Sequence, residues 1–119
     1  MKKLISWIEI PTVDFERAVV FYNSLLKLKM QPEDYGKEKM ACFPNGEGAI
    51  TFAQNFKPSE NGVMVSFAVS DSINETLLRI EQNGGKTLQT KTKIEAEGKG
   101  YFAIFLDSEG NKVGLYEKN

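Results

Sequence analysis

The chain has 119 residues, 41% apolar and 26% charged, and its 15 Lys and Arg against 16 Asp and Glu leave a formal charge of −1. That is the size and composition of one globular domain, and the balanced charge argues against a dedicated binder of nucleic acid or anionic membrane. No histidine occurs, which excludes Ser-His-Asp and Cys-His catalysis, His-based zinc sites and the two-His-one-carboxylate iron triad.

Cys42 is the only cysteine, so no internal disulfide can form and a cytoplasmic, reducing compartment is expected. Glu9 ends the short N-terminal apolar run before a secretory pattern develops. No stretch nears the ~18 consecutive apolar residues of a membrane span.

Leu4 to Ile10 is a mostly β-prone run ending at Pro11 and reads as a strand. The period then changes. Phe15, Ala18, Val19, Tyr22, Leu25 and Leu26 share one face of an amphipathic helix, with Asp14 as N-cap and Glu16 in the first turn. Residues 28 to 56 read as three short strands, separated by the turns Asp34-Tyr35-Gly36 and Pro44-Asn45-Gly46. Phe56 to Gly62 is polar, rich in breakers and the best linker in the chain.

The same order then begins again. Met64 to Val69 reads as a strand, and Ser72-Ile73-Asn74-Glu75 as a capping box in which Glu75 reaches back. The second helix buries Ile73, Leu77 and Ile80 and stops at Gly84-Gly85. Strands are expected near Thr87, from Tyr101 to Leu106 and from Lys112 to Glu117, the last two joined by Asp107-Ser108-Glu109-Gly110-Asn111. A strand–helix–three-strand unit is thus written twice. Module one spans residues 2–56, the linker 57–62 and module two 63–118, within a single domain covering 1–119.

With that order in view, Ile8-Glu9-Ile10-Pro11, Asp14-Phe15-Glu16-Arg17-Ala18 and Phe21-Tyr22 resemble the opening of vicinal-oxygen-chelate (VOC) proteins, the superfamily of glyoxalase I, bleomycin resistance proteins and extradiol dioxygenases. The ending resembles the family's closing signature: Tyr101-Phe102-Ala103-Ile104-Phe105, then Asp107-Ser108-Glu109-Gly110-Asn111, then Gly114-Leu115-Tyr116-Glu117, with Ser108 where a proline is usual. The resemblance implies an α+β fold in which tandem βαβββ modules form a cupped, half-open mixed β-sheet barrel with helices outside. It also implies a ligand site in the concavity, and a homodimer with the cup near or across the interface.

Metal-dependent relatives hold a divalent ion on four strands. Carried over, those positions fall on Trp7, on or near Thr51, on or near Met64, and on Gly114. None suits a divalent ion, so no metal and no cofactor are expected. The resemblance thus points to a cup that binds a small aromatic or amphipathic molecule, lined by Trp7, Glu9, Thr51, Met64, Ser66, Gly114 and Tyr116. Small residues facing the cup, with Trp7 and Tyr116 as aromatic wall, suit burial and stacking. Ile50, Phe52, Val65, Phe67, Val113 and Leu115 on the opposite faces suit packing under the helices.

Several residues keep two readings. Trp7 stacks on a ligand or plugs the vacated space. Glu9 is a polar anchor or base in a partly dry cavity, or a strand-end carboxylate reaching solvent. Tyr116 donates to a ligand oxygen or is a rim aromatic. Glu47 and Glu117 are poor partners for an oxygen-only metal site, one in a hairpin and the other of the wrong strand parity. Cys42, with no basic neighbour, reads as a small hydrophobe. Lys91 to Lys99 reads as a solvated loop or edge strand, or else a flap. The alternative to a binding protein is a metal-independent lyase or isomerase using Glu9 and Tyr116.

Overall fold

The computed structural model describes residues 3–118. Its elements run β1 (Ile8–Pro11), α1 (Phe15–Leu26), β2 (Pro32–Asp34), β3 (Glu38–Cys42), a 3-10 turn at Pro44–Gly46, and β4 (Gly48–Ala53). Then follow β5 (Ser66–Ala68), α2 (Ile73–Gln82), β6 (Lys86–Lys93), β7 (Tyr101–Leu106) and β8 (Lys112–Glu117). They form two four-stranded mixed sheets of identical topology, β1-β4-β3-β2 and β5-β8-β7-β6. In each, the first strand runs parallel to the last and the other pairs are antiparallel. The sheets stay unclosed, and the expected α+β tandem βαβββ architecture is present.

The two parallel strands are shorter than their apolar runs. β1 can pair only where β4 is available, and β4 starts at Gly48 opposite Ile8, so Leu4 to Trp7 have no ladder partner. β5 is limited in the same way to Ser66–Ala68 beside Gly114, Leu115 and Tyr116. β6 is longer than expected. It takes in Lys91 and Lys93 as an edge strand of its sheet, with register shifts along its pairing to β7.

Asp14 caps α1, its Oδ1 accepting from the Arg17 amide at 3.1 Å, and Lys27 closes the helix in the left-handed region at φ 57°. Ser72 caps α2 as expected, accepting from the Glu75 amide at 3.1 Å. The reciprocal bond differs from expectation: the Ser72 amide donates to Asp71 Oδ1 at 2.7 Å instead of to Glu75. Asp71 is fixed there by Arg79 at 2.9 Å and Lys27 at 3.3 Å. Arg79 also donates to the Leu25 carbonyl near the end of α1, satisfying one of its terminal acceptors from the other half of the chain.

One core spans both halves. Phe21 packs edge-to-face on Tyr22 with centroids 5.1 Å apart, and α1 reaches the second sheet through Phe21–Phe105 and Tyr22–Phe67. Ile10, Ala41 and Ile50 of the first sheet and Ala103, Phe105, Val113 and Leu115 of the second join the same cluster with Ile73, Leu77 and Ile80 of α2. Phe52 departs from the expected packing and is 37% exposed. It lies beside Val13 and Phe15, at the start of α1, where the helix no longer covers the strand.

The turn between β7 and β8 clasps the halves together. Asp107, buried, accepts from Tyr22 Oη at 2.7 Å, from Asn111 Nδ2 at 3.0 Å and from the Glu109 and Asn111 amides at 2.9 Å. Asn111 Nδ2 also donates to the Pro11 carbonyl at the end of β1, and Asn111 Oδ1 accepts from the Ser59 amide. Glu109 accepts from the Val13 and Asp14 amides and from Arg17.

Gly85 ends α2 with its amide on the Ile80 carbonyl at 2.9 Å. A Cβ there would stand 2.7 Å from Ile80 Cγ2, 2.8 Å from the Leu106 carbonyl and 2.9 Å from Phe21 Cε1. Gly85→Ala is therefore expected to destabilise by ~1–2 kcal/mol, because backbone and ring must both shift. A urea midpoint equal to that of the wild type would refute the overpacking.

Candidate functional site

The helices cover one face of each sheet, and the other faces are where the expected site residues lie. On β3 the alternation is plain: Ala41 is fully buried under the helices, whereas Met40 is half-buried and Cys42 exposed. Cys42, read as a small hydrophobe, is exposed and has the parity of the helix-free face. On β7, Ala103 and Phe105 are buried, while Phe102, Ile104 and Leu106 keep partial exposure. An apolar, helix-free surface is thus presented by both sheets.

Just before the first sheet, Trp7 is 42% exposed and its Nε1 donates to Glu9 Oε2 of β1 at 3.0 Å. Glu9 itself is solvent-exposed, so in a single chain it is not in a dry cavity. Thr51 lies between Pro11 and Met40 in register, 1% exposed, and its Oγ1 has no hydrogen-bond partner although its carbonyl accepts from Thr12 Oγ1 at 3.1 Å. An orphaned buried hydroxyl costs on the order of 1–3 kcal/mol.

In the second sheet, Ser66 pairs with Gly114 and Ala68 with Tyr116. A Cβ on Gly114 would stand 3.5 Å from Met64 Cε and would collide with Ser66 Oγ, so these three residues form one compact patch. Met64 is 44% exposed. Tyr116 turns its hydroxyl toward Gly100, 3.2 Å from the place a Cβ would occupy there. The expected residues therefore assemble as two groups. Glu9 and Thr51 belong to the first sheet, with Trp7 just before β1 and bonded to Glu9, and Ser66, Gly114 and Tyr116 belong to the second, with Met64 just before β5.

The side chains at the four metal positions do not fit a divalent ion. Indole and a secondary hydroxyl are poor donors, thioether suits soft monovalent copper, and at Gly114 any side chain would need the space that Ser66 holds. Among the described residues, no group of three or more His, Cys, Asp and Glu is placed to hold a metal ion. Glu47 is exposed beside the turn before β4. Glu117 points to the helix side, where it accepts from the Ile73 amide at 2.7 Å and Lys91 Nζ at 3.1 Å. Those donors, the Ile73 amide foremost, hold its carboxyl below the ordinary range. Lys91 also stacks over Tyr101, which ties it to the sheet.

Sequence reasoning missed the cleft between the free edges of β1 and β5, a cavity of about 510 Å³. Its walls include Ile8, Leu26, Leu28, Phe43, Val65 and Phe67, and of the expected residues only Ser66 borders it. No local pattern marks it, because it is made by the way two sheet edges meet.

Two unclosed βαβββ sheets with paired helices on one side define a glyoxalase-type module. The family model of the Glyoxalase/Bleomycin resistance protein/Dioxygenase superfamily matches residues 4–115, and the chain belongs to that superfamily. A glyoxalase/bleomycin resistance protein from Albidiferax ferrireducens T118 is similar in structure, with a TM-score of 0.73 at 21% identity, covering 98% of this chain and 100% of that one. A glyoxalase I mutant from Zea mays gives 0.70 at 21% identity, over 94% of this chain and 46% of that one. TnmS3, an antibiotic binding protein from Streptomyces sp. CB03234, gives 0.63 at 18% identity, over 99% and 98%. None of the curated proteins matches. No helix among the described residues is long and apolar enough to cross a membrane.

Proposed function

We propose that this chain is a small-molecule-binding member of the superfamily that works without a bound metal and holds a flat aromatic or amphipathic compound against its open faces. Trp7 supplies the stacking wall and Met64 a soft apolar contact. Ser66 and the bare backbone at Gly114 leave room, while Thr51, Glu9 and Tyr116 orient polar atoms. The observation that carries this reading is the buried, partnerless Thr51 hydroxyl of β4, together with a 42%-exposed indole hydrogen-bonded to Glu9 of the adjacent strand. A ligand oxygen or nitrogen would satisfy the one while its ring covers the other. TnmS3, a protein of similar fold, is an antibiotic binding protein, which supports the binding reading over the catalytic one.

Two open faces on one chain are best completed by a second copy, so the proposed unit is a homodimer with the ligand between faces. The exposed thiol of Cys42 suits the reducing interior of a cell. Trp7 is the only tryptophan, and its emission reports occupancy directly. Screening aromatic metabolites is expected to find compounds that quench it and raise the melting temperature, with Trp7→Ala weakening binding at least ~10-fold as lost stacking area. Thr51→Val is expected to weaken only ligands carrying a polar group. Strong stabilisation by zinc, nickel or manganese would overturn the metal-free reading, and a monomer by light scattering would overturn the shared cup.

A further inference from the structure

A second cavity lies where β1 and β4 end. It measures about 590 Å³ and is bordered by Thr12, Phe52, Asn55, Phe56, Lys37 and Lys57 among others. The chain after β4 makes it: Asn55 adopts φ 66° and the Phe56 amide bonds the Ala53 carbonyl at 3.3 Å, folding Phe56 back to share the cavity with Phe52. Lys57 follows on the same turn, and Lys37 arrives from the β2–β3 connection.

Its chemistry differs from the rest of the molecule. The whole chain carries −1, yet this cavity is bordered by two lysines and by no Asp or Glu. Neither lysine makes an ion pair among the described residues, in contrast to Lys27, Lys39 and Lys91. Two phenyl rings give an apolar wall, and Asn55 adds an amide on the rim. Phe52, 37% exposed, also borders a neighbouring cavity at the start of α1 with Val13, Asp14, Phe15, Glu16 and Lys39.

We propose that this cavity is a site for a small aromatic anion, an aryl carboxylate whose ring packs on Phe52 and Phe56 and whose charge lies between Lys37 and Lys57. The open face cannot duplicate it, since the charge beside Trp7 there is the Glu9 carboxylate. The site stands independently of the ligand reading above.

The test is a titration of the uniformly 15N-labelled chain with 2-naphthoate, followed by amide shifts, with neutral 2-naphthylmethanol as control. The expected result is saturable shifts at residues 55–57 and Lys37, weaker for the alcohol and weakening as salt is raised. Lys37→Gln with Lys57→Gln, both surface changes, should weaken binding at these resonances ~10-fold or more as the counter-charges are lost. Phe56→Ala should abolish it. Equal shifts with the alcohol, shifts confined to Trp7 and its neighbours, or unchanged affinity in the double variant would each overturn the proposal. Absence of any shift up to solubility would do the same.

Discussion

Asp107→Ala is expected to cost about 3–5 kcal/mol, because a buried acceptor of four hydrogen bonds disappears and its donors stay behind. The Tyr22 hydroxyl is fully buried and has no water to turn to, and Asn111 is 7% exposed. Burial first, then the neighbouring Asp107 carboxylate, pushes the Tyr22 phenol well above its ordinary range, so it stays a donor throughout the usable pH range. The loss would be felt in both halves, since Asn111 Nδ2 carries the network on to the Pro11 carbonyl. Tyr22→Phe removes one donor together with its need and should cost only about 1–1.5 kcal/mol. In a double-mutant cycle the two changes should be strongly non-additive, because they remove the same bond. Chemical denaturation of the four proteins measures this, and an Asp107→Ala loss under about 1 kcal/mol would show that the turn is not a clasp.

That clasp marks the limit of what the sequence discloses. Period-2 and period-3.6 patterns are set by nearest neighbours, so both helices, their caps at Asp14 and Ser72, and the repeated element order can be read directly. The turn Asp107 to Asn111 is legible as a turn, but its bonds to Tyr22, Pro11 and Ser59 span between 52 and 100 residues of chain, outside any local window. Strand ends are missed for the same reason, as with Leu4 to Trp7, whose ladder partner does not exist. At the site, parity alone put Ser66, Gly114 and Tyr116 on one face, and the sheet register agrees. What parity could not supply is Thr51's missing partner, the cleft between sheet edges, or the exposure of Phe52, each of which depends on how far a distant element extends.

Glu109→Ala is expected to cost about 2–4 kcal/mol at neutral pH, since its carboxylate closes the start of α1 from the other half of the chain. The side chain is fully buried, and it accepts from the Val13 and Asp14 amides at 2.8 and 2.7 Å and from Arg17 at 2.8 and 3.1 Å. Arg17 is half-exposed and can return to water, which keeps the loss below that of a wholly buried pair and makes Arg17→Ala the milder change. Burial pushes the Glu109 carboxyl up, but Arg17, the two amides and the Ser108 hydroxyl together outweigh it and hold the group below its ordinary 4.5. The folded state therefore binds this proton less readily than the unfolded one. Its contribution is complete above the ordinary value and is lost as pH falls through the lower folded one. Wild type should accordingly lose more stability than Glu109→Gln between neutral pH and roughly pH 3. Parallel stability–pH curves for the two proteins would mean that the carboxylate is solvated like any surface glutamate, and the ion-paired anchor would have to be abandoned.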